Sequence, residues 1–457
     1  MGWIAALSVL LVAAAPGCSP AKPARPNVLL LVVDTLRADH TSLLGYARET
    51  TPRLDAFART GIVFEDARAS SSWTKPSMAS LLTGLSAPAH GVETVEARLP
   101  EAATTLAEVL WANGYRTALF SDNPYISRPF GFAQGYEAVI DYASGSERSD
   151  GALREDTVRD WAQRSGAAAL NARLLAWLDG GDPERPWFAH VHYMEPHWPY
   201  QPPPAFHARF RPPGASAVEL ANLWQLEPGV AGAVTGHVLP ARDRQDLVDA
   251  YDGAVAFWDD RFGALIDELE RRDQLDDSVI AVVSDHGEAF YEHATWAHQN
   301  SLYDELVRVP LVLAGPGIEP RRDPRNVSAV DLPSTLLALA GLEAAKIGSG
   351  RSLLQSDASS WDGRLAHEGR RYHATIEQGR KWIVSQGAGL ELVEAFDLAS
   401  DPGELRDRSH EPEARAELVR RRLLERASHE RTAGLEADSA KVSEEMKAAL
   451  RAIGYAD

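Results

Sequence analysis

Cysteine is almost missing from this sequence, which has one, Cys18, among 457 residues. A single cysteine leaves no partner for a disulfide within the chain. Positive charge is also scarce, since 46 Lys and Arg stand against 65 Asp and Glu and give a net charge of −19. With no basic run to contact phosphates, the composition argues against nucleic-acid binding and against attraction to an anionic membrane surface.

Long hydrophobic runs are lacking too. The apolar stretch WIAALSVLLVAAAPGCSP, from Trp3, is too short for a comfortable membrane span and ends in small residues beside Cys18. Residues 1–18 resemble the signal peptide and lipobox of a bacterial lipoprotein, although no Lys or Arg precedes the run and Pro16 stands where Ala or Ser is usual. An uncleaved anchor or a soluble tail is the alternative.

The lipoprotein interpretation predicts an exported protein of the cell envelope, in the periplasm or at the cell surface. Acylated Cys18 would be the mature N-terminus, so the mature protein would have neither a disulfide nor a free thiol. The Pro-rich residues 19–26 would form a short tether before the fold begins. Contact with the membrane would then be through the N-terminal lipid only.

Three apolar stretches, each typical of a buried strand, lead into side chains that can bind metals. In NVLLLVVDT the apolar run is followed by Asp34, and in SVIAVVSDHGE the apolar run leads to Asp285 and His286. The strand in RPWFAHVHYMEPHWPY leads to Glu195 and His197. Ligands bind at strand ends in open α/β sheets, so these groups can converge although they are far apart in sequence.

The length accommodates one large α/β domain with a smaller C-terminal unit. We predict a large central, mostly parallel sheet flanked by helices over residues 27–345, and an α+β subdomain over 346–457. Helices are expected at TPRLDAFARTG, at AVDLPSTLLALAGL and from Asp246, where an apolar stripe repeats at helical spacing. YHATIEQGRKWIVSQ and LELVEAFDL predict an antiparallel hairpin, and the charged residues 411–450 predict terminal helices.

The stretch SSSWTKPSMASLLTG places a hydroxyl, a lysine and a proline (Thr74, Lys75 and Pro76) before a run typical of a helix. Thr74 as an N-cap with Pro76 in the first turn explains this pattern without any chemistry. The alternative is that Thr74 is placed at the helix start to react.

Blocks along the whole chain resemble the sulfatase branch of the alkaline phosphatase superfamily, in the same order. They are NVLLLVVDTLRADHTSLLGY, WTKPSMASLLTG followed by AHGV, YMEPHWPY, YDGAVAFWDDRFGALIDELE, SDHGE followed by LYDELVRVPLVLAGPG, and FDLASDPGE. The resemblance extends from about Asn27 to the C-terminus and is far more specific than a single short motif. It implies an alkaline phosphatase-like fold.

The resemblance implies that Asp34, Asp285 and His286 bind a metal and that Thr74 is a nucleophile that also contacts it. Two hard carboxylates and an imidazole suit a divalent cation that holds an anionic ester. We therefore expect one divalent ion. Sulfatases hold calcium at this site, and the imidazole leaves manganese or zinc open.

Further catalytic and binding residues follow from the same blocks. His298 stands where sulfatases usually have a Lys and is positioned to donate a proton to the leaving group. His197 falls where the family has a His that contacts the transferred group. Four more residues are weaker candidates for substrate binding, each of which is otherwise an ordinary structural polar group: Lys75, Asn123, Glu195 and His293.

The chain departs from the sulfatase pattern at the nucleophile. Sulfatases have Cys or Ser, oxidised to formylglycine, followed by Pro and Arg at fixed spacing, whereas this chain has Thr74 and Met78 in the outer positions. Threonine cannot give the aldehyde, so no formylglycine is expected. Thr35 also replaces an Asp that is common in the family, and the family's Gly-Lys-Trp-His block is absent.

The sequence thus favours a metal-dependent hydrolase in which Thr74 forms a covalent intermediate, with phosphate mono- or diesters preferred over sulfate esters. The substrate would be an anionic ester, either a small molecule or one linked to a glycan or lipid. Alternatives are a sulfuric ester hydrolase without formylglycine, a phosphoethanolamine-type transferase and a non-catalytic binding protein. Retention of Asp34, Asp285, His286 and a hydroxyl argues against the last, and the lack of several membrane spans argues against the transferase.

Overall fold

The structure of the protein is a computed structural model. It describes residues 25–141, 166–211, 241–299, 301–343, 345–355, 365–368, 372–385 and 392–414, with residues 435, 437–440, 447 and 450 near the C-terminus. The predicted signal peptide and lipobox, nearly all of the tether and most of the predicted terminal helices lie outside the described residues. Within them, no helix combines the length and the apolar character that a membrane crossing requires.

An eight-stranded sheet forms the centre of the molecule. Its strands are β1 (Asn27–Val33), β2 (Gly61–Arg68), β3 (Arg116–Ser121), β4 (Ala138–Ile140), β5 (Trp187–Tyr193), β6 (Ser278–Ser284), β9 (Leu311–Ala314) and β10 (Arg321–Ser328). Their order in the sheet is β10-β2-β9-β6-β1-β5-β3-β4, and only β9 runs antiparallel to its neighbours. The predicted large, mostly parallel sheet is confirmed.

Strand β1 shows why this sheet is covered on both faces. Alternate side chains of a strand point to opposite faces, and every residue of β1 is buried. Val28, Leu30 and Val32 belong to one hydrophobic core, whereas Leu29, Leu31 and Val33 belong to a second one. A continuous apolar run is therefore needed here, as is typical of parallel strands between two helical layers.

Nine α-helices are present in the described part of the chain, and they are labelled in chain order. They are α1 (Pro52–Ala58), α2 (Thr74–Thr83), α3 (Ala87–His90), α4 (Leu106–Ala112), α5 (Ala167–Asp179), α6 (Pro204–Phe210), α7 (Ala241–Arg271), α8 (Asp304–Val307) and α9 (Leu332–Leu339). The long helix α7 begins five residues before the predicted start at Asp246. Its predicted stripe is confirmed, because Tyr251, Val255, Trp258 and Phe262 are buried in the second core.

Two smaller sheets complete the fold. Strands β7 (Ala289–Phe290) and β8 (Trp296–Ala297) form a short antiparallel pair. The C-terminal sheet contains β11 (Leu365–Glu368), β12 (Tyr372–Glu377), β13 (Arg380–Ser385) and β14 (Leu392–Asp397), all antiparallel. The predicted hairpin is confirmed as β12–β13 and is the centre of this four-stranded sheet.

Candidate active site

Adjacent parallel strands bring the predicted metal ligands together. Val33 of β1 pairs with Ser284 of β6, so Asp34 and Asp285, which follow directly, leave the sheet side by side. One oxygen of Asp34, one oxygen of Asp285 and a ring nitrogen of His286 lie within 4.8 Å of one another. All three side chains are fully buried. We call these residues, together with Thr74, the strand-end cluster.

Thr74 is the first residue of α2, and its hydroxyl faces the strand-end cluster. Thr74 Oγ1 lies 3.2 Å from His286 Nε2. Trp73, with an extended backbone, occupies the N-cap position. The alternative interpretation of Thr74 as an N-cap is therefore wrong. The chain enters the helix one residue earlier, and the hydroxyl is directed at the ends of the strands.

Main-chain contacts fix the orientation of His286 and of the first turn of α2. His286 Nδ1 lies 2.8 Å from the Gly287 carbonyl. A carbonyl only accepts, so Nδ1 carries the proton and Nε2 presents a lone pair to the cluster. In α2, Ser77 Oγ donates to the Asp285 carbonyl at 2.5 Å and ties the helix to the end of β6.

Each carboxylate of the cluster has one anchored oxygen. Asp34 Oδ2 accepts from the Asn123 side-chain amide at 2.7 Å and from His192 Nε2 at 3.0 Å. Asp285 Oδ1 accepts from the main-chain amides of Thr35 at 3.3 Å and His286 at 3.0 Å. The other oxygens, Asp34 Oδ1 and Asp285 Oδ2, have no hydrogen-bond partner among the described residues. Buried oxygens of this kind are suited to binding a cation.

The electrostatics of the two carboxylates agree with that assignment. Burial raises the pKa of Asp285, and the negative charge of Asp34 raises it further. Burial also disfavours ionised Asp34, but the nearby imidazoles of His197, His192 and His286 outweigh it and hold the pKa of Asp34 well below its usual range. A divalent cation between the carboxylates would favour ionisation of both. The donor set therefore fits the metal that the sequence predicts.

The turn after β1 has a strained backbone. Thr35 adopts a left-handed conformation with φ of 57°, which is uncommon for a β-branched residue. The turn is fixed from both sides, because the Leu36 amide donates to Ser284 Oγ at 2.9 Å and Tyr251 Oη donates to the Thr35 carbonyl at 2.7 Å. These contacts hold Asp34 beside Asp285, and left-handed residues of this kind are concentrated at functional sites.

Two further histidines lie next to the strand-end cluster, as the sequence predicts for His197 and His298. The ring centroid of His298 is 4.6 Å from that of His286 and 5.2 Å from that of His197. His197 Nδ1 lies 2.6 Å from the Trp198 carbonyl, whereas His298 Nδ1 lies 2.9 Å from the carboxylate of Glu288. Together with His192, which donates to Asp34, the structure thus assembles four imidazoles around one hydroxyl and two carboxylates.

The structure does not support a substrate-binding role for Lys75. Its side chain is fully buried, and its Nζ donates to the carbonyls of Val95 at 2.6 Å and Ala97 at 2.5 Å. The ammonium also lies 4.4 Å from the centre of the Phe130 ring and 5.0 Å from that of Tyr125. Although Lys75 follows Thr74 directly, the helix turns its side chain into the hydrophobic core.

Asn123 and Glu195 also have structural partners. The Asn123 amide nitrogen donates to Asp34, and its amide oxygen accepts from the Tyr125 main chain at 2.9 Å, so this residue orients a metal ligand. Glu195 Oε1 accepts from the Ala167 amide at the start of α5 at 3.1 Å. No described hydrogen bond joins Glu195 to the strand-end cluster. These contacts give both side chains structural roles, and direct substrate binding by either one stays a prediction.

His293 lies at the junction with the C-terminal sheet and not in the cluster. Its Nδ1 is 2.7 Å from the Glu305 carboxylate, and its Nε2 is 3.0 Å from the Glu404 carbonyl. The ring stacks on Tyr303 with centroids 3.6 Å apart. Both nitrogens and one ring face are therefore in contact with protein, which gives His293 a structural role at this junction, and substrate binding by His293 stays a prediction.

A group of buried ion pairs lies at the same junction. Lys381 Nζ is 2.8 Å from Asp304 and 2.8 Å from Glu404, and Arg68 pairs with Asp304 at 2.8 Å. The Glu404 carboxylate also accepts from the Asp304 amide at the start of α8 at 2.5 Å. We call Arg68, Asp304, Lys381 and Glu404 the interface network. Glu404 ends the FDLASDPGE block, so that block joins the C-terminal sheet to the main domain.

Two residues that contact the site, His192 and Glu288, were not predicted from the sequence. His192 donates to Asp34, and Glu288 contacts His298. A signal for each was present: His190 and His192 alternate in an otherwise apolar strand, so both point to one buried face, and Glu288 belongs to the SDHGE block.

Comparisons with known proteins agree with the fold. The family model described as Sulfatase matches residues 26–342, well over half of the chain. The ulvan-active sulfatase of Formosa agariphila is 25% identical over 345 residues, which cover 72% of this chain and 64% of that protein, so the chain spans less than two thirds of its length. A multifunctional alkaline phosphatase superfamily protein of Trinickia caryophylli is 26% identical over 484 residues. The match covers 87% of this chain and 93% of the length of that protein.

A solved structure shows the same architecture. The phosphonate monoester hydrolase of Agrobacterium radiobacter superposes with a TM-score of 0.71 at 24% identity, covering 89% of this chain and 96% of that chain. At this identity the likeness shows the fold, and the family match is independent of it. The chain therefore belongs to the sulfatase family of the alkaline phosphatase superfamily and is an ester hydrolase.

Proposed function

We propose that the protein is a metal-dependent hydrolase of phosphate esters in which Thr74 is the nucleophile. The observation that carries this proposal is the 3.2 Å approach of Thr74 Oγ1 to His286 Nε2 within the strand-end cluster. A buried hydroxyl at the start of a helix, beside two carboxylates and an imidazole, is in the geometry of an activated nucleophile.

Asp34, Asp285 and His286 would hold one divalent ion, with Thr74 beside them, and calcium, manganese and zinc all suit this donor set. When bound, the ion supplies positive charge that favours ionisation of the hydroxyl and offsets the charge of the ester. Lys75, the residue after the nucleophile, adds no positive charge here, since its ammonium points into the core. The amides at the start of α2 are also few, because Pro76 has none and Ser77 donates to Trp73 at 3.3 Å.

The nucleophile itself favours phosphorus over sulfur. In a formylglycine sulfatase, the second hydroxyl of the hydrated aldehyde expels sulfate by breaking a C–O bond. Thr74 has no second hydroxyl, so its adduct must be cleared by water that attacks the central atom. Met78 is fully buried in the core where the family has the Arg that steadies formylglycine, which agrees with a different nucleophile.

The proposed reaction has two steps. The ionised Thr74 Oγ, which has lost its proton to solvent before the cycle begins, attacks phosphorus, the bond from phosphorus to the alcohol oxygen breaks, and His298 Nε2 gives that oxygen a proton. Water then attacks the phosphorus of the phosphothreonine and passes a proton to His298 or His197, the bond from phosphorus to the Thr74 oxygen breaks, and phosphate is released while the Thr74 oxygen leaves in the ionised form in which it began. His298 lies beside His286, and His197 lies beside His298, so both imidazoles are close to the site of these proton transfers.

The test is a matched panel of aryl phosphate monoesters, phosphate diesters and sulfate esters. We expect phosphate turnover by the wild type and by Thr74→Ser, and a loss of about 10⁴-fold or more in Thr74→Ala, the order of magnitude expected on removing a nucleophile. The exposed Thr60→Ala serves as the control. Intact-mass analysis of quenched reactions should detect a phosphoryl adduct that Thr74→Ala lacks.

The panel also separates the alternatives. Sulfate turnover above both phosphate classes would overturn the substrate preference, and unchanged activity of Thr74→Ala would overturn the nucleophile. Passage of the phosphoryl group to an added alcohol, in place of release as free phosphate, would identify a transferase. An anionic ester linked to a glycan or lipid fits the same chemistry.

We also propose that the protein is exported and held in the cell envelope by a lipid on Cys18. The support is the sequence pattern of residues 1–18 alone. Intact-mass measurement should give a mature chain that begins at an acylated Cys18 and partitions with membranes, and Cys18→Ala should abolish both. Retention of Met1 without lipid would contradict this.

A further inference from the structure

Three of the histidines at the site, His286, His197 and His298, differ in what holds their Nδ1 atoms. His286 and His197 each donate from Nδ1 to a main-chain carbonyl, those of Gly287 and Trp198. His298 Nδ1 instead lies 2.9 Å from Oε1 of Glu288, which is an ion pair if the ring is protonated. In His197 and His298, Nε2 is the nitrogen that can act on a substrate, whereas Nε2 of His286 is directed at the strand-end cluster. The Nδ1 contact of His298 is made to a carboxylate, whereas those of His286 and His197 are made to main-chain carbonyls.

Glu288 is built into this position. Its side chain is fully buried, and that of His298 is 6% exposed. The Glu288 carbonyl accepts from Arg37 Nη1 at 2.9 Å, and the Gly287 amide before it donates to the Leu306 carbonyl at 2.8 Å. A Cβ on Gly287 would lie 2.0 Å from the Glu305 carbonyl oxygen, so only glycine permits this close approach. The loop therefore holds the carboxylate in one place before substrate arrives.

We propose that Glu288 is a positioning residue that fixes His298 by its Nδ1 and thereby makes His298, and not His197, the group that protonates the leaving alcohol. A carboxylate hydrogen-bonded to Nδ1–H holds an imidazole in one tautomer and stabilises the imidazolium, which a neutral carbonyl does much less. The inference rests on the proposed function, because it assigns the proton donor of that reaction.

In the bond-breaking step, the electron pair of the phosphorus–oxygen bond goes to the alcohol oxygen, and the proton comes from His298 Nε2. His298 becomes neutral and keeps the proton on its Nδ1, which remains hydrogen-bonded to Glu288. Water addition in the second step returns a proton to Nε2, so the cycle closes without an external acid. In this proposal His197, whose Nδ1 is held by the Trp198 carbonyl, does not protonate the leaving alcohol and instead contacts the transferred group.

The experiment measures kcat/KM for a series of aryl and alkyl esters that differ in leaving-group pKa, for wild type, Glu288→Gln and His298→Ala. Proton donation matters little for a good leaving group such as 4-nitrophenolate and increasingly for poor ones. We expect Glu288→Gln, which is nearly isosteric, to lie within about 3-fold of wild type on the nitrophenyl ester and to lose about 10²-fold on the poorest leaving groups. His298→Ala should show the same trend, and the double variant should lose no more than His298→Ala.

His197→Ala is the matched control, since its loss should be similar for all leaving groups. Metal content and thermal melts establish that each variant is folded and loaded. If Glu288→Gln loses the same factor throughout the series, or nothing, the proposal is overturned. If Glu288→Gln does not fold, the other two variants decide. The proposal is overturned if the loss of kcat/KM in His298→Ala is the same for all leaving groups, or if the loss in His197→Ala increases towards the poorest leaving groups.

Failure of the proposed function gives a different result. A wild type that hydrolyses aryl sulfates better than phosphates overturns the substrate preference, and the same leaving-group series in sulfates still decides the role of Glu288. A wild type inactive on every ester overturns both. Independently of activity, side-chain ¹⁵N NMR should find His298 protonated at Nδ1, and a ring without that proton would contradict the assignment.

Discussion

The strand-end cluster and the interface network are both buried, polar and centred on pairs of carboxylates, yet they differ in whether their charges are compensated. In the interface network, the ammonium of Lys381 lies 2.8 Å from both Asp304 and Glu404. Asp304 forms a second ion pair, with Arg68. In the strand-end cluster, Asp34 and Asp285 each leave one buried oxygen without a hydrogen-bond partner in the described part of the chain.

This difference separates structure from function. Burying a charge is costly unless it is paired, and the interface network pairs its charges with one another. The strand-end cluster retains two carboxylate oxygens and one imidazole nitrogen in a region from which solvent is excluded. With both carboxylates ionised, such a set needs a further positive charge, which supports a metal site there and a structural role for the network.

The largest expected effect comes from breaking the strand-end cluster. Asp285→Asn keeps the shape of the side chain but removes the charge from one of the two carboxylates. We expect loss of the bound divalent ion and about 10³-fold lower activity, which corresponds to several kcal/mol of lost charge stabilisation. Metal analysis by mass spectrometry and an ester assay measure both effects. Asp276→Asn, an exposed change before the same strand, is the control, and equal metal content in the two variants would remove the metal from the mechanism.

Breaking the interface network should instead lower stability. Lys381→Met leaves Asp304 and Glu404 without their shared ammonium in a buried site, which typically costs about 3–5 kcal/mol of unfolding free energy. Denaturant unfolding measures this loss, and activity per folded molecule should be retained. The exposed neighbour Arg380→Met makes the same charge change and should cost no more than about 0.5 kcal/mol. A similar loss in both variants would show that the network contributes no special stability.

The smallest effect concerns pH. Burial lowers the pKa of His293, but the hydrogen bond to Glu305 and its negative charge outweigh it and raise the pKa to about 9. Because this pKa lies above the unfolded value of about 6.5, the contribution to stability is complete below pH 6.5 and is lost as the pH rises to 9. We expect wild type to lose roughly 1–2 kcal/mol over that range, after allowance for solvent screening. His293→Gln should lose less stability over the same pH range. Chemical unfolding measures the free energy of unfolding at each pH, and the same dependence on pH in wild type and His293→Gln would contradict the assignment.

Much of the fold could be predicted, because its causes are local. The continuous apolar run of β1 indicates a strand buried on both faces, and the 3.6-residue spacing of Tyr251, Val255 and Trp258 indicates a helix with one buried face. The start of α7 lies several residues before the predicted one, since the residues before Asp246 carry no apolar stripe. The convergence of Asp34, Asp285 and His286 followed from their positions after parallel strands.

The side-chain roles were harder to predict, because direction at the end of an element depends on its neighbours. Lys75 follows the nucleophile in sequence, but one step along a helix is a rotation of about 100°, which carries its ammonium to the carbonyls of Val95 and Ala97. His293 lies in the same loop as His298, but the C-terminal sheet supplies the Glu404 carbonyl that holds its ring.

The family, the sheet, the strand ends that carry Asp34 and Asp285, and the hydroxyl at the start of α2 could all be predicted from the sequence. These features follow from periodicity and motif order, which are properties of neighbouring residues. The contact of His298 with Glu288, in place of a main-chain carbonyl, became evident in the folded chain. That contact joins two sides of a loop whose path depends on the close approach of Gly287 to α8. Such long-range packing decides which polar side chains are satisfied by the protein and which remain available for chemistry.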